Sequence, residues 1–213
     1  MNETVAQTID GFLVVKTKSD SCLKTTRYID SSRGLILDIL EEFEDKKVFT
    51  QYKTNGLQPK TIEVTTKNKV ILYQEDGKTP ISIKVTNDDS SVKTTSFRLD
   101  GKTIEKIKTQ DEDGLTKICY FQIDGITPLK LVEMNIEGMT KTTVYDTEGK
   151  NITSIQEDLS DGSILKTFYR TNGSIEKTHQ SHIKGLPKSD IKEIIYDSMG
   201  KKKISEKIIS TQA

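Results

Sequence analysis

Glycine recurs at a fixed spacing along most of this chain, and the spacing restricts the folds that the chain can adopt. One series of glycines repeats every 24 residues, and a second 24-residue series, Gly114, Gly138 and Gly162, lies between its members. The first series comprises Gly77, Gly101, Gly125, Gly149 and Gly173. A fixed period of this length indicates one structural unit copied along the chain. The sequence therefore predicts a repeat architecture.

Aromatic residues follow the same period. Seven of the 13 aromatic residues stand four positions before a glycine, and we expect this column to stabilise the array as a spine. The column comprises Tyr52, Tyr73, Phe97, Phe121, Tyr145, Tyr169 and Tyr196. A second column stands six positions after the same glycines and lapses at His179 and Glu206. It comprises Ile62, Ile83, Ile107, Leu131 and Ile155.

The glycines also carry a turn signal. Asp or Asn precedes Gly in several of them, as in Asp76-Gly77, Asp100-Gly101 and Asn172-Gly173, and this pairing supplies the positive φ angles of tight hairpins. Turns about 12 residues apart leave room for strands of about six to eight residues. With only two alanines against 27 threonines and 25 isoleucines, the composition favours strands over helices. We predict an all-β fold, an antiparallel β-meander of strand-turn units.

Low hydrophobicity restricts how this meander packs. Hydrophobic residues make up 33% of the chain, too few to bury both faces of a long sheet. We expect an elongated, twisted or spiralling sheet, single-layered for part of its length. The most apolar runs, 12–15 and 35–37, place the best core within residues 10–60. The predicted domains are N-terminal capping strands over 1–47, with a short helix at 36–47 as an alternative, and a hairpin array over 48–209.

Two segments carry a resemblance to known repeats. Residues 145–150 read Tyr-Asp-Thr-Glu-Gly-Lys, and residues 196–201 read Tyr-Asp-Ser-Met-Gly-Lys. Both resemble the Tyr-Asp-x-x-Gly core of the YD repeats of Rhs-type bacterial shell proteins, and they are similar to MORN-like bacterial repeats. The composition, rich in Lys, Thr and Glu, resembles that of the single-layer sheet of spirochaete outer-surface lipoproteins. These resemblances imply β-repeats and a binding or encapsulating role.

Charge and hydropathy narrow the expected partners. The 32 basic and 32 acidic residues give no net charge, so we expect no nucleic-acid partner. No apolar stretch has the length of a transmembrane segment. The N-terminus does not resemble a signal peptide, so the expected location is the cytoplasm, or the cell exterior if a leader has been removed. The sequence does not predict an oligomeric state.

Residues with catalytic or metal-binding chemistry are few. His179 and His182 are the only histidines, and their spacing on a strand puts them on opposite faces, which disfavours a shared metal. Cys22 and Cys119 are expected to be free thiols. The acidic segments 111–114 and 158–162 suggest calcium, but they lack the twelve-residue ligand pattern. The preference of turns for Asp explains the acidic residues of both segments without calcium. We therefore expect no metal and no cofactor.

The sequence thus predicts a non-enzymatic β-repeat protein that presents a long regular surface to another protein. A bacterial surface antigen, a secreted effector and a toxin-neutralising partner all remain open as roles. The alternative is a carbohydrate-active or hydrolytic enzyme on an extended β scaffold. That alternative requires a carboxylate whose pKa is shifted by burial in a cleft.

Overall fold

The fold is the predicted antiparallel meander, and it has 18 strands. The structure is a computed structural model that describes residues 3–29, 34–187 and 190–210, and these residues form no helix. The chain divides into two compact units. The first contains the first nine strands, and the second contains the last nine. Within each unit, consecutive strands pair antiparallel.

The first unit contains β1 to β9, each five to seven residues long. Their bounds are β1 Glu3–Ile9, β2 Phe12–Lys18, β3 Leu23–Tyr28, β4 Ile36–Glu42, β5 Lys47–Tyr52, β6 Pro59–Thr65, β7 Lys69–Tyr73, β8 Pro80–Thr86 and β9 Val92–Phe97. Strand β4 occupies most of the segment for which a helix was the alternative. The predicted boundary between cap and array falls at the start of β5, which pairs with β4 inside this unit.

The second unit contains β10 to β18, each six to eight residues long. Their bounds are β10 Ile104–Gln110, β11 Thr116–Phe121, β12 Pro128–Met134, β13 Thr140–Tyr145, β14 Ile152–Asp158, β15 Ile164–Tyr169, β16 Ile175–Ser181, β17 Asp190–Tyr196 and β18 Lys203–Ser210. Strand and turn lengths match the predicted unit of about 12 residues.

Each unit is a single layer. Across the described part of each unit, strands contact only the strands before and after them in the chain, whereas a second layer would bring distant strands together. Burial is correspondingly small. Among the described residues, Val14 and Ile39 are the only buried hydrophobic side chains, and both lie within residues 10–60, where the apolar runs predicted the best core.

A row of alternating isoleucine and threonine runs along the middle of one face. In the second unit, β10, β12 and β14 carry large residues of the second predicted column, β13 and β15 carry threonine, and the alternation ends at β16, which also carries threonine. In the second unit the row reads Ile107, Cys119, Leu131, Thr143, Ile155, Thr167, Thr178 and Ile194. Thr143, Thr167 and Thr178 are buried by their neighbours in this row. Such cross-strand pairs stabilise a sheet that has no second layer.

The row also explains why the second column lapses at His179. The turn between β15 and β16 has five residues, 170–174, whereas the turn between β13 and β14 has six, 146–151. Thr167 therefore pairs with Thr178, and Lys166 pairs with His179. Because side chains alternate between faces, a change of one residue moves His179 to the opposite face. The row itself continues through Thr178.

The seven aromatic residues of the predicted column each end an odd-numbered strand, from β5 to β17. At six of them the register shifts by a β-bulge, and Tyr28 ends β3 in the same way. Their rings are half-buried. Most face a proline or isoleucine across the hairpin, as in Tyr73 with Pro80 and Tyr145 with Ile152. Proline fits there because it is the first residue of its strand.

The turn glycines adopt the conformation that the sequence predicts. All five glycines of the first series have positive φ, between 65° and 79°. Gly149 is also crowded, because a β-carbon there would lie 2.8 Å from Pro128 Cδ and 2.8 Å from Thr127 Cγ2. Gly173 has a similar φ of 79°, but nothing lies within 4 Å of the same position. Comparing substitutions at Gly149 and Gly173 therefore separates the cost of backbone strain from the cost of steric crowding.

Truncating the aromatic column tests whether it stabilises the sheet. We expect Tyr145→Ala and Tyr169→Ala each to lower the free energy of unfolding by roughly 1–2 kcal/mol, about half the cost of removing a fully buried aromatic ring. Tyr145→Phe keeps the ring and serves as the control. Urea unfolding monitored by circular dichroism measures the loss, and unchanged midpoints for both alanine variants would refute the spine.

The paired glycines give a second test. Gly173→Ala is expected to cost roughly 1–2 kcal/mol, the price of placing an L-residue at positive φ. Gly149→Ala carries the same strain and adds a clash with the start of β12, so we expect about 1–3 kcal/mol more. Thermal unfolding of the two variants measures the difference. Equal losses at the two positions would show that the turns do not pack closely.

Candidate binding surfaces

The turns after odd-numbered strands lie at one edge of each unit, which we call the turn edge. In the first unit it includes residues 53–58, 74–79 and 98–103, and in the second unit residues 122–127, 146–151, 170–174 and 197–202. The turn edge bears the most crowded glycines, the aromatic strand ends and the three most exposed apolar side chains, whereas Ile136, which is 77% exposed, lies at the other edge in the turn after β12. Its chemistry decides what the protein can bind there.

An aspartate caps several of these turns. Asp76 Oδ1 accepts hydrogen bonds from the backbone N–H groups of Lys78 at 2.9 Å and Thr79 at 2.8 Å, and Asp76 Oδ2 accepts one from the Thr79 hydroxyl at 2.5 Å. Asp100 and Asp124 make the same bonds one and two repeats later. The aspartate of each Asp-Gly pair thus holds the turn closed, while the glycine supplies the positive φ.

These bonds keep the capping carboxylates ionised. The Thr79 hydroxyl and two turn amides lower the pKa of Asp76 to about 2, and the equivalent donors lower the pKa of Asp100 to about 2. Among the described acidic residues, every shifted pKa is lowered; the set comprises Asp76, Asp89, Asp100, Asp124, Asp146, Asp161, Glu193, Asp197 and Glu206. A lowered pKa suits a cap rather than a general acid.

In the acidic segments considered for calcium, carboxylates likewise accept hydrogen bonds from backbone amides and hydroxyls. Asp111 Oδ1 accepts the Leu115 amide at 2.8 Å, and Asp161 Oδ1 accepts the Ser163 amide and hydroxyl at 2.9 and 2.6 Å. Asp158 Oδ2 accepts the amide and hydroxyl of Thr140 at 3.0 and 2.7 Å. Across residues 3–29, 34–187 and 190–210, no group of three or more metal-ligating side chains converges.

Side chains connect neighbouring turns along the turn edge. Gln74 Nε2 donates to Leu99 O at 2.8 Å, and Gln122 Nε2 donates to Thr147 O at 2.8 Å. Arg170 Nη2 donates to Tyr196 O at 3.0 Å. These three donors directly follow the aromatic strand ends and are 48 residues apart. Lys53 and Glu75 also form an ion pair between turns 53–58 and 74–79, so the contacts are not confined to separate pairs of turns.

Large apolar side chains project from the tips of the turn edge. In the first unit, Leu99 is 90% exposed and Leu57 is 73% exposed. In the second unit, Ile123 and Ile126 are 85% and 80% exposed, and Met199 is also exposed. We call these five residues the apolar tips. Turn tips are ordinarily polar, and side chains this exposed contribute almost nothing to packing.

The two histidines do not share a strand. His179 lies on β16, whereas His182 follows the end of β16 with a φ of 55°, so the argument that both lie on opposite faces of one strand does not apply to His182. The His179 Nε2 atom lies 2.7 Å from Glu193 Oε2, and its ring meets Phe168 edge-on at 5.0 Å between centroids. Alignment on the 24-residue period missed this cluster. The signal in the sequence was that turn 170–174 is one residue shorter than turn 146–151.

The cysteines carry free thiols. Cys22 precedes β3, and Cys119 lies within the isoleucine–threonine row. Burial raises the pKa of the Cys119 thiol, which makes it a poor nucleophile at neutral pH.

A shallow groove of about 340 Å³ opens beside turns 74–79 and 98–103 of the first unit. Ile81, Phe97 and Leu99 supply its apolar wall, and Lys60, Gln74, Glu75 and Arg98 complete the lining. Leu99 is also an apolar tip, so the groove extends the apolar surface of the turn edge.

The capping carboxylates predict how stability depends on pH. Since folding lowers the pKa of Asp76 and Asp100 to about 2, their contribution is complete above the unfolded pKa near 4 and disappears as the pH falls toward 2. We expect the urea midpoint to drop steeply between about pH 4 and pH 2. The double variant Asp76→Asn, Asp100→Asn should show a smaller drop, and a drop as steep as in the wild type would contradict the assignment.

The described part of the chain holds no helix with the length and hydrophobicity that crossing a membrane requires. Neither a protein-family model nor a curated protein matches the chain.

Proposed function

We propose that this protein is a non-enzymatic binding module that presents its turn edge to another protein. The observation that carries the proposal is the exposure of the apolar tips, from 65% at Met199 to 90% at Leu99. Exposed apolar side chains that project together mark interaction sites more often than isolated ones do. Ile123 and Ile126 project together from one turn, and Leu57, Leu99 and Met199 project from other turns of the turn edge.

Packing does not explain the apolar tips. Leu99, Ile123 and Ile126 stand on turns that are already closed by Asp100 and Asp124 and by their glycines. Polar residues fill equivalent positions on other turns, such as Glu75 and Thr147. The turns therefore fold without apolar tips, and a partner that buries them accounts for their presence.

Rigid turns favour binding by a preformed surface. Gln122 fixes the carbonyl of Thr147 on the next turn, and Gly149 packs against the start of β12. Side chains on such turns lose little conformational freedom when a partner binds, which improves affinity.

Site-specific crosslinking in the cells that make the protein tests the proposal. Replacing Ile123 with the photo-crosslinker p-benzoylphenylalanine is expected to give a discrete protein adduct after illumination. The control places the same residue at Glu112, in the turn at the other end of β11, about 20 Å away by strand length. Adducts of equal yield at both positions, or none at Ile123, would contradict the proposal.

The double substitution Ile123→Ser, Ile126→Ser separates binding from folding. Since both side chains are at least 80% exposed, we expect an unchanged Tm, because surface changes of this kind stay within about 0.5 kcal/mol. A crosslinker at the neighbouring Glu148 should then lose the adduct that it forms in the wild type. A lower Tm would show that the tips stabilise the fold instead.

A further inference from the structure

The two faces of the second unit differ in charge although the chain as a whole is neutral. Two neighbouring rows on one face, which we call the lysine face, contain six lysines, one histidine and one glutamate. The first row, from β10 to β18, is Lys106, Tyr120, Lys130, Val144, Ser154, Phe168, Lys177, Ile195 and Ser205. The second row, across the same strands, is Lys108, Ile118, Val132, Thr142, Gln156, Lys166, His179, Glu193 and Lys207. This face carries a clear positive excess.

The opposite face has no positive excess. Its two matching rows, the isoleucine–threonine row extended to Glu206 and the row from Thr109 to Ile208, hold three lysines and three glutamates. These charges neutralise one another across strands, in the pairs Lys117–Glu133 at 3.1 Å, Lys141–Glu157 at 3.1 Å and Lys192–Glu206 at 3.0 Å. Strand alternation puts Glu105 and Asp190 on the same face beyond these rows. The positive excess therefore belongs to the lysine face alone.

Ring contacts organise four of the six lysines. The ammonium groups of Lys106 and Lys130 lie 6.0 and 4.6 Å from the centroid of the Tyr120 ring. Those of Lys166 and Lys177 lie 5.1 and 5.2 Å from the centroid of Phe168. Cation–π contacts hold a lysine without neutralising its charge. The ammonium groups are thus positioned and remain able to attract an anion.

The only glutamate in these rows does not cancel the excess. Glu193 Oε1 lies 3.1 Å from Lys207 Nζ, and Glu193 Oε2 lies 2.7 Å from His179 Nε2 and 3.6 Å from Lys177 Nζ. One carboxylate is therefore shared among several cationic or polar groups. It fixes one end of the lysine face and leaves the rest of it basic.

We infer that the lysine face binds an acidic segment of a partner protein. Charge complementarity selects an acidic ligand. Lysine ammonium groups already stand over the rings of Tyr120 and Phe168, and base stacking needs open ring faces, so a single-stranded nucleic acid fits less well. This surface is separate from the apolar tips and extends the proposed function to a second contact.

The full chain and a fluorescent polyglutamate peptide at low salt test this inference by fluorescence anisotropy. The substitutions Lys108→Gln, Lys130→Gln and Lys166→Gln together are expected to weaken peptide binding about tenfold, since three exposed ion pairs are lost. Lys117→Gln, Lys141→Gln and Lys192→Gln remove the same charge from the opposite face and serve as the matched control. We expect the control to change the affinity by less than about twofold.

Three results would overturn the inference. One is equal weakening by the two triple variants, which would assign binding to net charge. Another is tighter binding of labelled oligothymidylate than of polyglutamate, which would assign the face to nucleic acid. The third is no peptide binding by the wild type. Circular dichroism is the control that checks whether both triple variants fold. Both variants keep the apolar tips, so the crosslinking test of the proposed function is independent of this one.

Discussion

The closure of each turn is the constraint on which the rest of this structure depends. An Asp side chain such as Asp100 holds the turn by accepting two amides and a hydroxyl, and a glycine at positive φ completes it. Turn length then fixes the register of the next strand, and register decides which face each side chain occupies. The isoleucine–threonine row, the lysine face and the apolar tips all follow from this sequence of turns.

A single layer makes register unusually important. With no second layer over the described strands of either unit, neighbours in a row supply most of the burial, as at Thr143 and Thr167. Cross-strand pairs of this kind each contribute about 0.2–1 kcal/mol. Many modest pairs in consistent register thus replace the core of a layered domain. Within each unit, no other strand covers either face of the described sheet.

Sequence reasoning predicted the strands, the antiparallel order and the turn glycines, because these depend on local turn chemistry with a strong period. It did not predict the bonds that Gln74, Gln122 and Arg170 make to the next turn, since these bonds join turns across strands. It also aligned His179 with Ile155 and missed the cluster with Glu193. Net charge concealed the lysine face, because a sum over the chain contains no information about alternate faces of a strand.

The most direct test of register control concerns β15 and β16, where the turn is one residue shorter. Interstrand backbone NOEs measured by NMR on the full chain report which residues are opposite each other. The account predicts that Thr167 is opposite Thr178 and that Lys166 is opposite His179. NOEs that place Thr167 opposite His179, the register that an unbroken 24-residue repeat would give, would contradict it.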